Sequence, residues 1–111
     1  MDNIKNDSYC LKKIKEDLEY IIEISKDLTK EDFEKSILHQ DSAMFRMVQI
    51  SENSDRLSKD FKEWHKEIDW RSLKGMRNKI VHEYGAVDLK IIFDTIKTDI
   101  PQFYDIIKDL V

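Results

Sequence analysis

Leu11, Ile14, Leu18, Ile21, Ser25 and Leu28 recur at steps of three and four residues. Such spacing returns to one side of an α-helix and builds a single apolar stripe. Two glycines and one proline in 111 residues leave few points where helix must stop. The chain is therefore predicted to be mostly helix with short connections.

The stops that do exist can be read from capping chemistry. Asp7 or Ser8 can cap the first helix. "TKED" at 29–32 resembles a capping box, with Asp in place of the usual Glu. A second helix is predicted to follow, with Phe33, Ile37, Met44, Met47 and Val48 facing inward. Capping at Thr29 makes the connection short, which favours antiparallel neighbours. "SENSDRLS", 51–58, is the most loop-like stretch. Ser58 can cap a short helix holding Phe61, Trp64 and His65, and Asp69 the next, "WRSLKGMRNKIVHE", with Gly85 just past its end. Asp88 can cap "LKIIFDTIKT", and Asp99 with Pro101 can open a last helix holding Phe103, Ile106, Ile107 and Leu110. The expectation is one domain over residues 1–111, an all-α antiparallel bundle.

The net charge of −4 argues against a general polyanion binder, though it leaves room for a local basic patch. A single cysteine, Cys10, allows no internal disulfide and no cysteine pair for a metal, which fits a reducing cytoplasm. The start, "MDNIKND", lacks the basic-then-apolar form of a signal peptide. The apolar runs fall far short of the roughly 20 residues needed to cross a membrane. The expected location is cytoplasmic, with no membrane contact.

Within this acidic chain lies a basic island. From Trp70 to His82 there is no acidic residue, while Arg71, Lys74, Arg77 and Lys79 are basic. Cations near a helix C-terminus complement the macrodipole, and a charged face opposite an apolar one is ordinary solvation. The spacing sharpens the question. Arg77 and His82 are five apart, about 140° around an ideal helix, whereas Asn78 and His82 share a face. Arg77 and His82 converge only if the helix ends or distorts near His82, or if a second copy contributes. Histidine moves protons near neutral pH, and arginine is a permanent planar donor suited to phosphate. Together they suit RNA cleavage without a metal: the ribose 2′-hydroxyl attacks the adjacent phosphate, histidine moves protons and arginine holds the oxyanion. Tyr84 can orient a phosphate or a base, and Arg71, Lys74 and Lys79 are candidate RNA contacts.

"IDWRSLKGMRNKIVHEYGAVD" resembles the HEPN domains of the HepT-like toxin family, whose signature is R-x-x-x-x-H-x-Y with Asn or Asp after the Arg. Arg77, Asn78, His82 and Tyr84 fill those positions, and "EDFEKS" is also similar to the family. The resemblance implies a HEPN-type helical bundle that homodimerises and brings two motifs into one cleft. It implies a ribonuclease toxin with Arg77 and His82 catalytic and Asn78 and Tyr84 supporting. It also implies a partner, the MNT-type nucleotidyltransferase antitoxin, which adds AMP to Tyr84 and silences the toxin. Two alternatives remain: a non-catalytic partner or substrate-binding subunit of that transferase, or a structural helical dimer.

No cofactor or metal site is implied. His39, His65 and His82 are not in metal-ligand spacing with one another or with Cys10. His39 reads as a surface residue and His65 as a helix-flank residue. Trp64 and Trp70 read as packing against the motif helix, and Met44, Phe45 and Met47 as core or dimer interface. There is no Gly-rich phosphate loop and no nucleotidyltransferase carboxylate motif, so the chain is not itself the AMP-transferring enzyme.

Overall fold

The structure is a computed structural model that describes residues 3–111, with side chains from Asn6 onward. Helix α1 spans Asn3–Ser25. It carries the stripe as expected: Leu11, Ile14, Leu18 and Ile21 are buried. It begins before Asp7, so neither Asp7 nor Ser8 caps it. The Asp7 carboxylate instead accepts from the Ser58 amide at 2.7 Å and the Ser58 hydroxyl at 2.6 Å, across the bundle. Ser58 in turn accepts from the Phe61 amide at 3.1 Å and caps α4, Lys59–Trp64. A residue with the chemistry of a local cap thus serves a helix end far along the chain.

The Thr29–Asp32 capping box forms in both directions, each bond at 3.1 Å, and opens α2, Lys30–Lys35. The helix expected to continue from there breaks at Ser36. Extended backbone at Ser36 lets its hydroxyl accept from the His39 amide and cap α3, Ile37–Asp55. The break turns Ile37 outward, 71% exposed, against the expectation that it faces the core. Phe33, Met44 and Met47 are buried as expected, and Val48 packs partly buried against them.

The predicted loop at 51–58 shrinks to 56–58, because 51–55 is the last turn of α3. Ser51, Asn53 and Ser54 are buried there. The Ser54 hydroxyl donates to the Ile50 carbonyl at 2.7 Å and the Asn53 amide group to the Gln49 carbonyl at 3.2 Å. Back-bonding to the preceding turn lets Asn53 and Ser54 stay helical and buried.

Asp69 caps α5, Trp70–His82, and Asp88 caps α6, Leu89–Asp94, both as expected. The last helix does not start afresh at Asp99. A π-helical turn, Thr95–Asp99, joins α6 to α7, Ile100–Ile107, without leaving helical backbone. The Ile100 amide reaches back to the Thr95 carbonyl. Pro101 lacks an N–H and its ring clashes with a normal helical register, and the wider π turn absorbs that conflict. Leu110 lies beyond α7 and is 44% exposed rather than in the core.

Cross-links between helices give their directions. Asp17 pairs with Arg46 at 2.7 Å while Asp7 meets Ser58, so α1 and α3 run antiparallel. Tyr104 donates to Glu19 at 2.8 Å and Lys97 to the Ser25 carbonyl at 2.5 Å, so the final helix returns antiparallel along α1. Helix α5 packs on the other side of α3. The result is an all-α, HEPN-type bundle measuring 45 × 28 × 21 Å. Trp70 is partly buried at its end, edge-on to Phe61 and to Phe103. Trp64 is 75% exposed, so the expectation that it packs against the motif helix does not hold.

A stability comparison follows. Leu18→Ala removes a fully buried side chain at the α1–α3 contact and should cost about 2–5 kcal/mol. Ile37→Ala, on the exposed face, should stay within about 0.5 kcal/mol of wild type. Urea unfolding of the two variants checks this, and equal losses would mean the Ser36 break is misplaced.

Candidate active site

The motif helix α5 is anchored at its start by Asp69, which accepts from the Ser72 amide at 3.0 Å and the Ser72 hydroxyl at 2.7 Å. These bonds hold the Asp69 carboxyl below the usual aspartate range, the amide contributing most. Ile80 is buried, and Leu73 and Met76 pack partly buried against the core. That apolar face fixes the rotation of the helix and so decides where its polar residues point.

Arg71, Lys74, Asn78 and His82 are all exposed. Their steps of three, four and four place them within about 80° of one another, along roughly 16 Å of helix. Lys79 is exposed on the flank of this stripe. The expected basic face therefore exists, and it leads to His82 at the helix end. The imidazole of His82 makes no hydrogen bond or ion pair among the described residues, which leaves both ring nitrogens available.

Arg77 points elsewhere, toward α3. Its side chain is 23% exposed, and its Nη2 lies 3.6 Å from Asp55 Oδ2. That distance is an ion pair but too long for a hydrogen bond. Its Nε is buried with no acceptor. An unsatisfied buried donor costs stability, so it calls for an explanation outside folding. Helix α5 does end at His82, but no hydrogen bond or ion pair joins Arg77 to His82 within the chain.

Past His82 the backbone leaves the helix. The Glu83 amide closes the last turn on the Lys79 carbonyl at 2.8 Å, and Tyr84–Ala86 forms a single 3₁₀ turn. Gly85 lies inside that turn and no glycine has positive φ, so it is not the left-handed helix stop expected of it. Tyr84 is 44% exposed, and its hydroxyl donates to Asp41 Oδ1 on α3.

Two side chains that meet the motif were therefore invisible in the motif itself: Asp41 and Asp55. The available signal was helical periodicity, since Asp41, Phe45, Val48, Glu52 and Asp55 share one face of α3. The other histidines stay apart from this site. His39 Nδ1 lies 2.6 Å from the Ser36 hydroxyl, and His65 stacks on Phe61 and lies 3.3 Å from Glu67. Among the described residues, no group of three or more His, Cys, Asp or Glu is arranged to hold a metal ion. Among the described residues, no helix is long and apolar enough to cross a membrane.

One hollow is a groove of about 430 Å³, lined by Met47, Leu73, Met76, Ile91, Phe103 and Ile106 among others. Arg77, His82 and Tyr84 are not part of it. His82 and Tyr84 lie on the exposed surface, while Arg77 is half-buried against α3.

Comparison with known proteins agrees with this architecture. Residues 14–110 match the family described as Ribonuclease HepT-like. A protein of Thermococcus cleftensis named "Probable ribonuclease HepT" is 36% identical over 91 residues, covering 82% of this chain and 83% of its own. A protein of Caldanaerobacter subterraneus subsp. tengcongensis named "Putative RNase TTE0752" is 33% identical over 100 residues, covering 90% and 89%. No solved structure matches the chain. The chain belongs to the ribonuclease HepT-like family.

Proposed function

We propose that this chain is a ribonuclease that cleaves RNA without a metal, using Arg77 and His82, and that it acts in the cytoplasm as the toxin of a toxin–antitoxin pair. The observation that carries the reading is Arg77. It is a half-buried guanidinium whose Nε has no acceptor and whose neighbouring carboxylate is out of hydrogen-bond reach. A phosphate oxygen is a stronger acceptor with matching geometry for such a fork.

The chemistry runs as a transfer within the RNA. The 2′-hydroxyl oxygen bonds to the adjacent phosphorus, and the bond to the 5′-oxygen breaks. A neutral imidazole takes the 2′-proton, and an imidazolium gives a proton to the departing 5′-oxygen. Arg77 stabilises the charge that builds on the phosphoryl oxygens. Asn78 lies on the His82 face and supports the phosphate, while Arg71, Lys74 and Lys79 hold the backbone on either side.

A homodimer supplies what one chain lacks. Arg77 and His82 point apart within a chain, and a two-fold axis beside the motif brings Arg77 of one copy toward His82 of the other. Two His82 side chains in one cleft then provide the base and the acid together. Ile37, Leu38, Phe45 and Val81 are exposed apolar residues on the two helices that flank the motif, and they suit such a contact.

Control runs through Tyr84. An MNT-type nucleotidyltransferase partner transfers AMP to it: the Tyr84 oxygen bonds to the α-phosphorus of ATP, pyrophosphate leaves and the phenolic proton passes to solvent. The exposure of Tyr84 supports this role, since a modifying enzyme must reach the phenol. The adduct places a phosphate and a bulky adenosine beside the motif.

Two outcomes are expected. His82→Ala should abolish RNA cleavage with helicity unchanged, because its side chain is exposed. Arg77→Lys should also lose most activity, since it keeps the charge and loses the fork. Cleavage assays with and without EDTA check both, and a strict need for Mg²⁺ would contradict the reaction. Separately, co-expression with a neighbouring nucleotidyltransferase should add AMP that peptide mass spectrometry maps to Tyr84, with none on Tyr84→Phe. Adducts at another residue would overturn the control mechanism.

A further inference from the structure

We infer that Asp41 is a positioning residue for the active site: its carboxylate latches the Tyr84 hydroxyl and thereby holds the turn that follows His82 against α3. The inference rests on the ribonuclease reading for its consequence in activity, but the latch itself is a matter of geometry.

The segment 83–86 has little else to hold it. Glu83, Tyr84, Gly85 and Ala86 are all exposed. Its internal bonds, Glu83 N–H to Lys79 O and Ala86 N–H to Glu83 O, both at 2.8 Å, are local and set the shape of the turn rather than its place. The 3₁₀ turn has no side-chain cap. Among the described residues, the Tyr84–Asp41 bond is the only hydrogen bond or ion pair tying 83–86 to another helix, and it crosses 43 residues of sequence. Asp41 stands in the first turns of α3, a helix anchored by buried Ala43, Met44 and Met47 just after it. An exposed turn is thus tethered to a helix set in the core by a bond to a carboxylate, among the stronger kinds of hydrogen bond.

His82 is the residue immediately before this segment. It is the last residue of α5 and its ring has no bond of its own to fix it, so the way the helix end is held decides where it points. Releasing Tyr84 frees that end to swing. Loss of placement by about 1 Å can cost an enzyme roughly 100-fold in rate.

The latch also gives modification of Tyr84 a second effect. Any group esterified to the phenol oxygen removes the hydrogen that Asp41 accepts. A phosphate there adds a negative charge beside a carboxylate, and like charges repel. Covalent addition therefore opens the latch and displaces the His82 turn, in addition to covering the cleft.

The test compares Asp41→Ala, Asp41→Asn, Tyr84→Phe and Asp41→Ala/Tyr84→Phe with wild type, by hydrogen–deuterium exchange over 83–88 and by RNA cleavage kinetics. Asp41 is exposed, so these variants should fold. Asp41→Ala and Tyr84→Phe should each speed exchange in this segment by roughly 10- to 100-fold, leaving α1 and α3 unchanged. Both should lower kcat about 10- to 100-fold without raising KM. The double variant should be no worse than the worse single one. Asp41→Asn keeps an acceptor oxygen and should recover most of the protection and rate. Wild-type exchange in both single variants would overturn the latch, even with a fully active ribonuclease. A wild-type protein that cleaves no RNA would overturn the ribonuclease reading instead, and the exchange result would still decide the latch.

Discussion

Everything at the site depends on the way α3 is held by two neighbours at once. One side packs on the apolar stripe of α1, where Ile14, Leu18 and Ile21 are wholly buried. Another side receives α5 through Met44, Met47 and Val48, which meet Leu73, Met76 and Ile80 in the same core. Burial of each large apolar side chain contributes about 1.5–3 kcal/mol, so the rotation of α3 is strongly fixed. Once it is fixed, Asp41 and Asp55 must face the motif helix. The carboxylates that meet Tyr84 and Arg77 are consequences of core packing, although neither is in the core.

The electrostatics of the site follow from this arrangement. The basic residues of α5 divide by helical phase. Arg71 and Lys74 run along the outside with Asn78 and His82, while Arg77 turns inward to α3. A net charge of −4 thus coexists with a cationic outer face. On α3, Asp55 pairs loosely with Arg77 at 3.6 Å, and Asp41 accepts from the Tyr84 hydroxyl. A loose pair can yield to phosphate, whereas a firm one holds a turn in place.

Much of this was legible in the chain because it is local. The caps at Thr29, Ser58, Asp69 and Asp88 work over two or three residues, and all four form. The stripe of α1 and the R-x-x-x-x-H-x-Y pattern are equally local. What escaped was set by contacts between distant residues. Asp7 has the chemistry of an N-cap, yet it braces Ser58, the cap of another helix, 51 residues away. Ser51, Asn53 and Ser54 have the composition of a loop, but all three are buried in the bundle, and Asn53 and Ser54 bond to the preceding turn. Pro101 suggests a new helix, yet a π turn carries it inside an existing one. The same limit applies at the site. Arg77, His82 and Tyr84 can be found by pattern, whereas Asp41 and Asp55 become visible only once α3 lies beside α5.

The central claim is that a histidine and an arginine direct the RNA's own 2′-hydroxyl against its phosphate. The chemical nature of the product ends tests it most directly. An RNA oligonucleotide cleaved by the wild-type chain should yield 2′,3′-cyclic phosphate and 5′-hydroxyl ends by mass spectrometry. A 2′-deoxy substitution at the cleaved position should block the cut. Products with 5′-phosphate and 3′-hydroxyl ends, or equal cleavage of the 2′-deoxy oligonucleotide, would mean that water is the nucleophile and would contradict the account.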